Sequence, residues 1–106
     1  MMKILLLCAA GMSTSMLVKK MEAHATANNI EVEIDAQPVD TFTDSLDHYD
    51  IFLLGPQVRF KQAELQAIAD TVNKYVGVID MMDYGMMKGD KVLTETIAIF
   101  NEKATA

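Results

Sequence analysis

A chain of 106 residues with 9 Lys and Arg against 15 Asp and Glu carries a net charge of −6, which argues against a nucleic-acid backbone as partner. Its single cysteine excludes an internal disulfide and suits a reducing, cytoplasmic location, while no stretch approaches the roughly 20 apolar residues that span a bilayer and the short apolar run after Lys3 makes no secretory leader. The length fits one domain, 1–106, able to bury a core without staples, and the nine methionines supply soft, adaptable packing.

An apolar run, residues 4–7, ends on Cys8 and meets small and hydroxyl residues at once: Ala9, Ala10, Gly11, Met12, Ser13, Thr14 and Ser15. That order predicts a buried strand, a tight loop and then a helix. Residues 16–28 have helical spacing, with Leu17, Met21 and Ala25 on the inner stripe and Lys19, Glu22 and Thr26 opposite. Asn28 and Asn29 mark the stop, and His24 falls at the margin of the stripe as a boundary side chain rather than a catalyst. Residues 30–36 alternate apolar and acidic, the period of a strand with one solvated face, so this strand belongs at or near a sheet edge. Gln37, Pro38 and Val39 end it, and residues 41–46 suit a short helical turn capped by Thr41 or Asp40. Asp44, Asp47, His48 and Asp50 lack any recognised ligand spacing and read as a solvated acidic loop rather than a metal site.

Residues 50–54 form a short apolar strand buried on both faces, broken by Gly55 and Pro56 and followed by a loop at residues 57–60. Residues 61–74 carry Leu65, Ile68, Ala69 and Val72 on one helical stripe. A fourth strand at 76–79 leads into a loop at 80–89 that holds Tyr84, Gly85, Met86 and Met87. The last helix, 90–103, turns Leu93, Thr96, Ile97 and Phe100 inward. Strands alternating with helices specify an α/β domain: a four-stranded parallel open sheet, with right-handed crossovers and helices on both faces. Its expected order is 2-1-3-4. Ligands of such sheets sit beyond the carboxyl ends of the strands where the order reverses. Here that point lies between the first and third strands, so the loops after Cys8, after Gly55 and around Tyr84 share one rim.

The chemistry expected on that rim follows from the thiol. The first turn of a helix offers N–H groups without intrahelical partners and the positive end of the dipole, both of which favour a thiolate and a dianion placed there. A nucleophile in an anion cradle can take up a phosphoryl group and hold it. The plain alternative makes Cys8 a small buried hydrophobe, against which stands the cluster of glycine and hydroxyl residues directly downstream.

CAAGMSTS after an apolar strand, LLGPQV after the third strand and DYG before the last helix together resemble the enzyme IIB component of the bacterial phosphotransferase system, in its lactose, cellobiose and chitobiose class. The resemblance covers essentially the whole chain. It implies a phosphotransferase component in which Cys8 accepts a phosphoryl group from a phosphohistidine of a IIA partner. The group then passes to a sugar bound in the membrane component IIC, expected to be a β-linked disaccharide such as cellobiose, chitobiose or lactose. The backbone of Ala9, Ala10, Gly11, Met12, Ser13, Thr14 and Ser15 would hold the phosphate. No metal or organic cofactor is implied, and the chain is expected to be a monomer that works at the membrane without inserting into it.

Gln57 and Tyr84 are read as neighbours of the site, and Met12, Val58, Arg59, Phe60 and Met86 as a docking rim. The plain alternatives make Tyr84 a packed loop aromatic, Arg59 a surface ion-pair partner and the apolar four ordinary core residues. The strand, cysteine loop and helix also resemble the fold of low-molecular-weight tyrosine phosphatases, whose loop reads C-x5-R with the arginine clamping the phosphate. Thr14 stands at the arginine position here, and neither Pro38 nor Pro56 follows the aspartate that such a hydrolase uses as an acid. A hydrolase is therefore disfavoured, and the reading that competes from another class is a non-catalytic, regulatory phosphate- or anion-binding module.

Overall fold

Strand β1, Met2–Cys8, is apolar without interruption from Ile4 to Leu7 because both of its faces are covered. The two-residue period of the strand sorts those side chains into two cores. Ile4 and Leu6 pack with Leu17, Met21, Val92 and Leu93, while Leu5 and Leu7 pack with Phe42, Phe52, Leu65 and Val76. The structure, a computed structural model, describes residues 1–9 and 12–105. Helices α1 (Met12–Ala27) and α5 (Gly89–Thr105) cover one face of the sheet. The short α2 (Phe42–Ser45) and α3 (Gln62–Asp70) cover the other.

Among the described residues β1, β2 (Val32–Pro38), β3 (Ile51–Leu54) and β4 (Tyr75–Val78) form one sheet in the order β2-β1-β3-β4. All its pairs are parallel, with Leu7 opposite both Gln37 and Leu54, and Leu54 opposite Val78. The carboxyl ends of the three inner and outer strands β1, β3 and β4 therefore reach the same level. The expected order and parallel character are those observed, and the alternating strand is an edge strand.

Several element boundaries differ from the sequence expectation, each for a local reason. Helix α1 starts at Met12 rather than at residue 16, so Thr14 and Ser15 belong to its first turn and not to a preceding loop. Strand β2 runs two residues further than its acidic alternation suggests, to Pro38, whose missing N–H costs nothing at the end of an edge strand. Helix α3 stops at Asp70, because Asn73 enters the left-handed region at φ 58° and the chain turns there, leaving Val72 partly exposed. The hydroxyl of Thr41 does not cap α2; it donates to Pro38 O and to Gln37 Oε1, both at 2.8 Å.

The stretch after β3, Pro56–Lys61, is two 3-10 turns joined by a kink at Val58 rather than an open loop. The stretch after β4 holds a further helix, α4 (Met81–Gly85). Asp80 nucleates it, its Oδ2 accepting from Met82 N at 3.0 Å and Asp83 N at 3.1 Å.

The crossing of α1 and α5 depends on one missing side chain. A Cβ built on Gly89 would lie 2.6 Å from the backbone carbonyl carbon of Lys20 and from Met21 N. Backbone atoms inside a packed helix cannot retreat as the tip of a flexible side chain can. Gly89→Ala is expected to cost about 1–3 kcal/mol by overpacking, read as a lower urea midpoint with an unchanged slope; an unaltered midpoint refutes the close crossing.

Two groups make the fold alkali-sensitive. The Tyr49 hydroxyl donates to Asp35 Oδ2 at 2.7 Å. Burial first, then that bond and the charges of Asp35 and Glu33, push it up to about 12. Lys91 Nζ lies 3.2 Å from Oδ1 of the buried Asp83, and this hydrogen bond, with the carboxylate charge, raises the lysine above its ordinary value. Both groups hold their proton more tightly folded than unfolded. Their contribution is complete below the unfolded values of about 10 and is lost as pH rises through the folded ones. Stability should therefore fall from about pH 10 upward, and Tyr49→Phe should remove the phenolate absorbance step near pH 12 along with part of the fall. A Tyr49→Phe titration superimposable on that of the parent chain contradicts this.

Candidate functional site

Continuing the alternation of β1, Cys8 shares the parity of Ile4 and Leu6 and so turns toward the face covered by α1. There its Sγ lies 3.2 Å from Oγ1 of Thr14, the thiol and hydroxyl sharing a hydrogen bond. Cys8 is 2% exposed and Thr14 fully buried. The thiol thus sits at the carboxyl end of an inner strand, between β2 and β3, and touches the first turn of the following helix. Thr14 and Ser15 belong to the first turn of α1, the positive end of the helix dipole.

Of the remaining residues expected to hold an anion, Ala9 and Ser15 are exposed. Met12 and Ser13 are helical in backbone, while their side chains, together with Ala10 and Gly11, lie outside the described residues.

From β3 the chain reaches the same place through Gly55, whose N–H donates to Leu7 O at 2.8 Å. A Cβ on Gly55 would lie 3.0 Å from Gln57 Oε1 and 3.7 Å from the Cβ of Cys8. The absent side chain leaves room for the Gln57 amide on one side and the cysteine on the other, so Gly55 lies between the two. Gly55 itself was legible only as a strand breaker; a glycine directly beyond a strand buried on both faces is the available signal for close approach.

The other expected neighbours divide. Tyr84 is a buried residue of α4, packed in the core beneath α1 and α5. Val58 does not belong to a docking rim: at 3% exposure it is a core residue, at the kink of its segment, and packs with Leu5, Leu7 and Leu65. Arg59 and Met86 are exposed and Phe60 is 76% exposed. Met81 and Met82, on the first turn of α4, are exposed as well. They were not singled out in the sequence, where a loop gives no face to assign. The apolar surface that follows β3 and β4 is thus richer in methionine than expected. Asp83, also unforeseen, is buried and fixes α4 to α5 through Lys91. Among the described residues no group of three or more His, Cys, Asp or Glu is placed to hold a metal ion.

The order of the sheet, the thiol at the reversal of strand order and the helix that opens against it define a class: an open parallel α/β domain built around a cysteine at the mouth of its first strand. Comparison with known proteins narrows this. The family model for the lactose/cellobiose-specific IIB subunit of the PTS system matches residues 3–95, and the chain belongs to that family. It is 44% identical over 99 residues to the oligo-beta-mannoside-specific EIIB component of Bacillus subtilis, covering 93% of this chain and 96% of that one. It is 43% identical over 103 residues to the galactose-specific EIIB component of Lactococcus lactis, covering 92% and 95%. The solution structure of the cellobiose-specific phosphotransferase IIB component from Borrelia burgdorferi superposes with a TM-score of 0.80 at 42% identity, covering 96% of this chain and 94% of that one.

Proposed function

We propose that the chain is a phosphocarrier that takes a phosphoryl group onto Cys8 from a phosphohistidine of a IIA partner and gives it to a sugar held in a membrane component IIC. The observation that carries this reading is the buried thiol at the mouth of β1, 3.2 Å from a hydroxyl on the first turn of α1. In the first step the sulfur, its proton given up to solvent, attacks phosphorus as the thiolate; an S–P bond forms, the N–P bond breaks and its electron pair returns to the imidazole. In the second a sugar hydroxyl oxygen attacks the same phosphorus, the S–P bond breaks, the thiolate leaves and the hydroxyl proton passes to an acceptor on the sugar's side. The thiol is itself the carrier, so neither step calls for a metal or an organic cofactor.

The cradle proposed for the phosphate is the backbone of Ala9, Ala10, Gly11, Met12, Ser13, Thr14 and Ser15, with the hydroxyl of Thr14 beside the sulfur and Gln57 on the β3 side. Thr14 in place of an arginine suits a carrier, because a guanidinium clamp favours retention and hydrolysis, whereas a carrier must release what it binds. With Cys8 2% exposed, the atoms over the sulfur must give way when a partner docks. Phe60, Met81, Met82 and Met86 offer that partner an apolar surface, and flexible thioethers can repack against two partners in turn. Arg59 is the orienting charge proposed beside them.

The curated relatives carry the names of different sugars, oligo-beta-mannoside and galactose among them. That suits a domain that handles only phosphorus and leaves choice of sugar to IIC; for this chain a β-linked disaccharide is the proposed cargo. No helix among the described residues is long and apolar enough to cross a membrane. We place the chain as a monomer on the cytoplasmic side, acting on IIC by docking.

The test is intact mass after incubation with phosphoenolpyruvate, the general phosphotransferase proteins and IIA. One added phosphoryl group, mapped to Cys8, is the expected result. An unchanged mass in the presence of phosphorylated IIA refutes the carrier and leaves a module that binds anions without covalent chemistry.

A further inference from the structure

Among the described residues strand β4 ends the sheet, and its outer edge faces no fifth strand. Its hydrogen bonds show which backbone groups point outward. Ile79 N–H donates to Leu54 O at 2.9 Å, so by the period of two the backbone groups of Tyr75 and Gly77 face β3 and those of Val76 face away. An open edge is a template for pairing with another chain, and proteins commonly blunt it with charges or proline. Strand β2, at the opposite edge, has both, in Glu33, Asp35 and Pro38. Strand β4 reads YVGV and has neither.

Helix α3 supplies the missing protection. Gln62 and Gln66 stand one turn apart on the face of α3 turned toward β4. Val76 N–H donates to Gln66 Oε1 at 2.8 Å, Gln66 Nε2 donates to Lys74 O at 2.9 Å, and Gln62 Nε2 donates to Val76 O at 3.0 Å. In a parallel ladder a residue of the neighbouring strand reaches the C=O and the N–H of two residues flanking its opposite number. The carboxamide of Gln66 reaches the same two groups, Lys74 O and Val76 N–H, and so stands in for a residue of the absent strand. Its second N–H donates to Asp70 Oδ1 at 2.8 Å. Turned over, the amide would set N–H against N–H at Val76 and oxygen against oxygen at Lys74, so the network fixes its orientation.

We propose that Gln62 and Gln66 form a lock on the β4 edge that keeps this chain from pairing edge to edge with a second copy of itself. An incoming strand must break three intramolecular hydrogen bonds before it makes its own, while the resident glutamines lose no freedom of association. A second copy is the occupant to exclude, because YVGV is an uncharged, β-prone segment, and two identical edges meeting across a two-fold axis satisfy each other. A groove of about 460 Å³, lined in part by Gln62, Gln66 and Tyr75, runs beside the edge.

The test compares sedimentation of the parent chain, the Gln62→Ala/Gln66→Ala double variant and a Glu64→Ala control on the exposed side of the same helix. The double variant should self-associate at a concentration roughly tenfold lower than either of the others, with hydrogen exchange at Tyr75–Val78 slowing as the concentration rises. If it does not fold, Gln62→Ala alone, which frees only Val76 O, should show the same trend with a smaller shift. Equal association of parent and variant, or association without protection at β4, overturns the lock.

Discussion

A Cys8→Ser chain is expected to fold as its parent does and to accept no phosphoryl group from phosphorylated IIA, a loss of about 10³-fold or more in transfer rate. The two halves of this expectation have separate causes. The fold is kept because serine is nearly the same shape as cysteine, and its hydroxyl can still share a hydrogen bond with Thr14, which lies 3.2 Å from the sulfur. Transfer is lost because a serine hydroxyl at neutral pH is a far poorer nucleophile than a thiol. An alkoxide is also a poorer leaving group when the sugar attacks, so even a serine that captured phosphate would hold it. If Cys8 were only a core residue at the end of a strand, the substitution would change the urea midpoint slightly and transfer not at all. Measuring both on one preparation separates the cases, and phosphorylation of the serine chain at the parent rate removes Cys8 from the chemistry.

What was legible in the sequence, and what was not, follows from how far each signal reaches. The uninterrupted run before Cys8 specifies a strand covered on both faces, and it is, with Ile4, Leu5, Leu6 and Leu7 fully buried; the alternation around Ile34 specifies a solvated face, yet Asp35 and Gln37 there are half-buried, bonded to Tyr49 and Thr41. Sheet order was legible because crossover handedness leaves few arrangements for four such strands.

The start of α1 was harder to place, since serine and threonine favour caps and turns as readily as a first helical turn. Helix α4 was hidden for a different reason: a helix of 5 residues is too short to show a period, and only the aspartate cap at Asp80 signals it. Val58 misleads because exposure in a connecting segment is the ordinary expectation, whereas the chain kinks at Val58, φ −117° and ψ 19°, and its side chain packs in the core. The room that Gly55 leaves for the amide of Gln57, on the side where it meets Cys8, needs three dimensions to see.

The hydroxyl of Thr14 is the second place where a small change should have a large effect. Thr14→Val keeps the branched shape of a residue that is wholly buried and removes only the oxygen 3.2 Å from Sγ. Packing around α1 should therefore survive, with a stability change of about 1 kcal/mol for the lost hydrogen bond. Phosphoryl acceptance should fall much further, by about 10²-fold, the scale for removing one donor from a site where negative charge is held. The oxygen is well placed for that role: it rides on the first turn of α1, so it meets the sulfur before transfer and is within the proposed cradle afterward. A purely structural threonine would behave differently, its loss changing stability and transfer in proportion. Thr14→Ser decides between the two, because it restores the hydroxyl while deleting the methyl group. Under the proposed role serine recovers most of the transfer rate even though it packs less well than valine; under a packing role valine is the better substitute. Parent-like transfer by Thr14→Val shows that the sulfur needs no help from this hydroxyl, and would leave stabilisation of the anion to the backbone N–H groups of α1 alone.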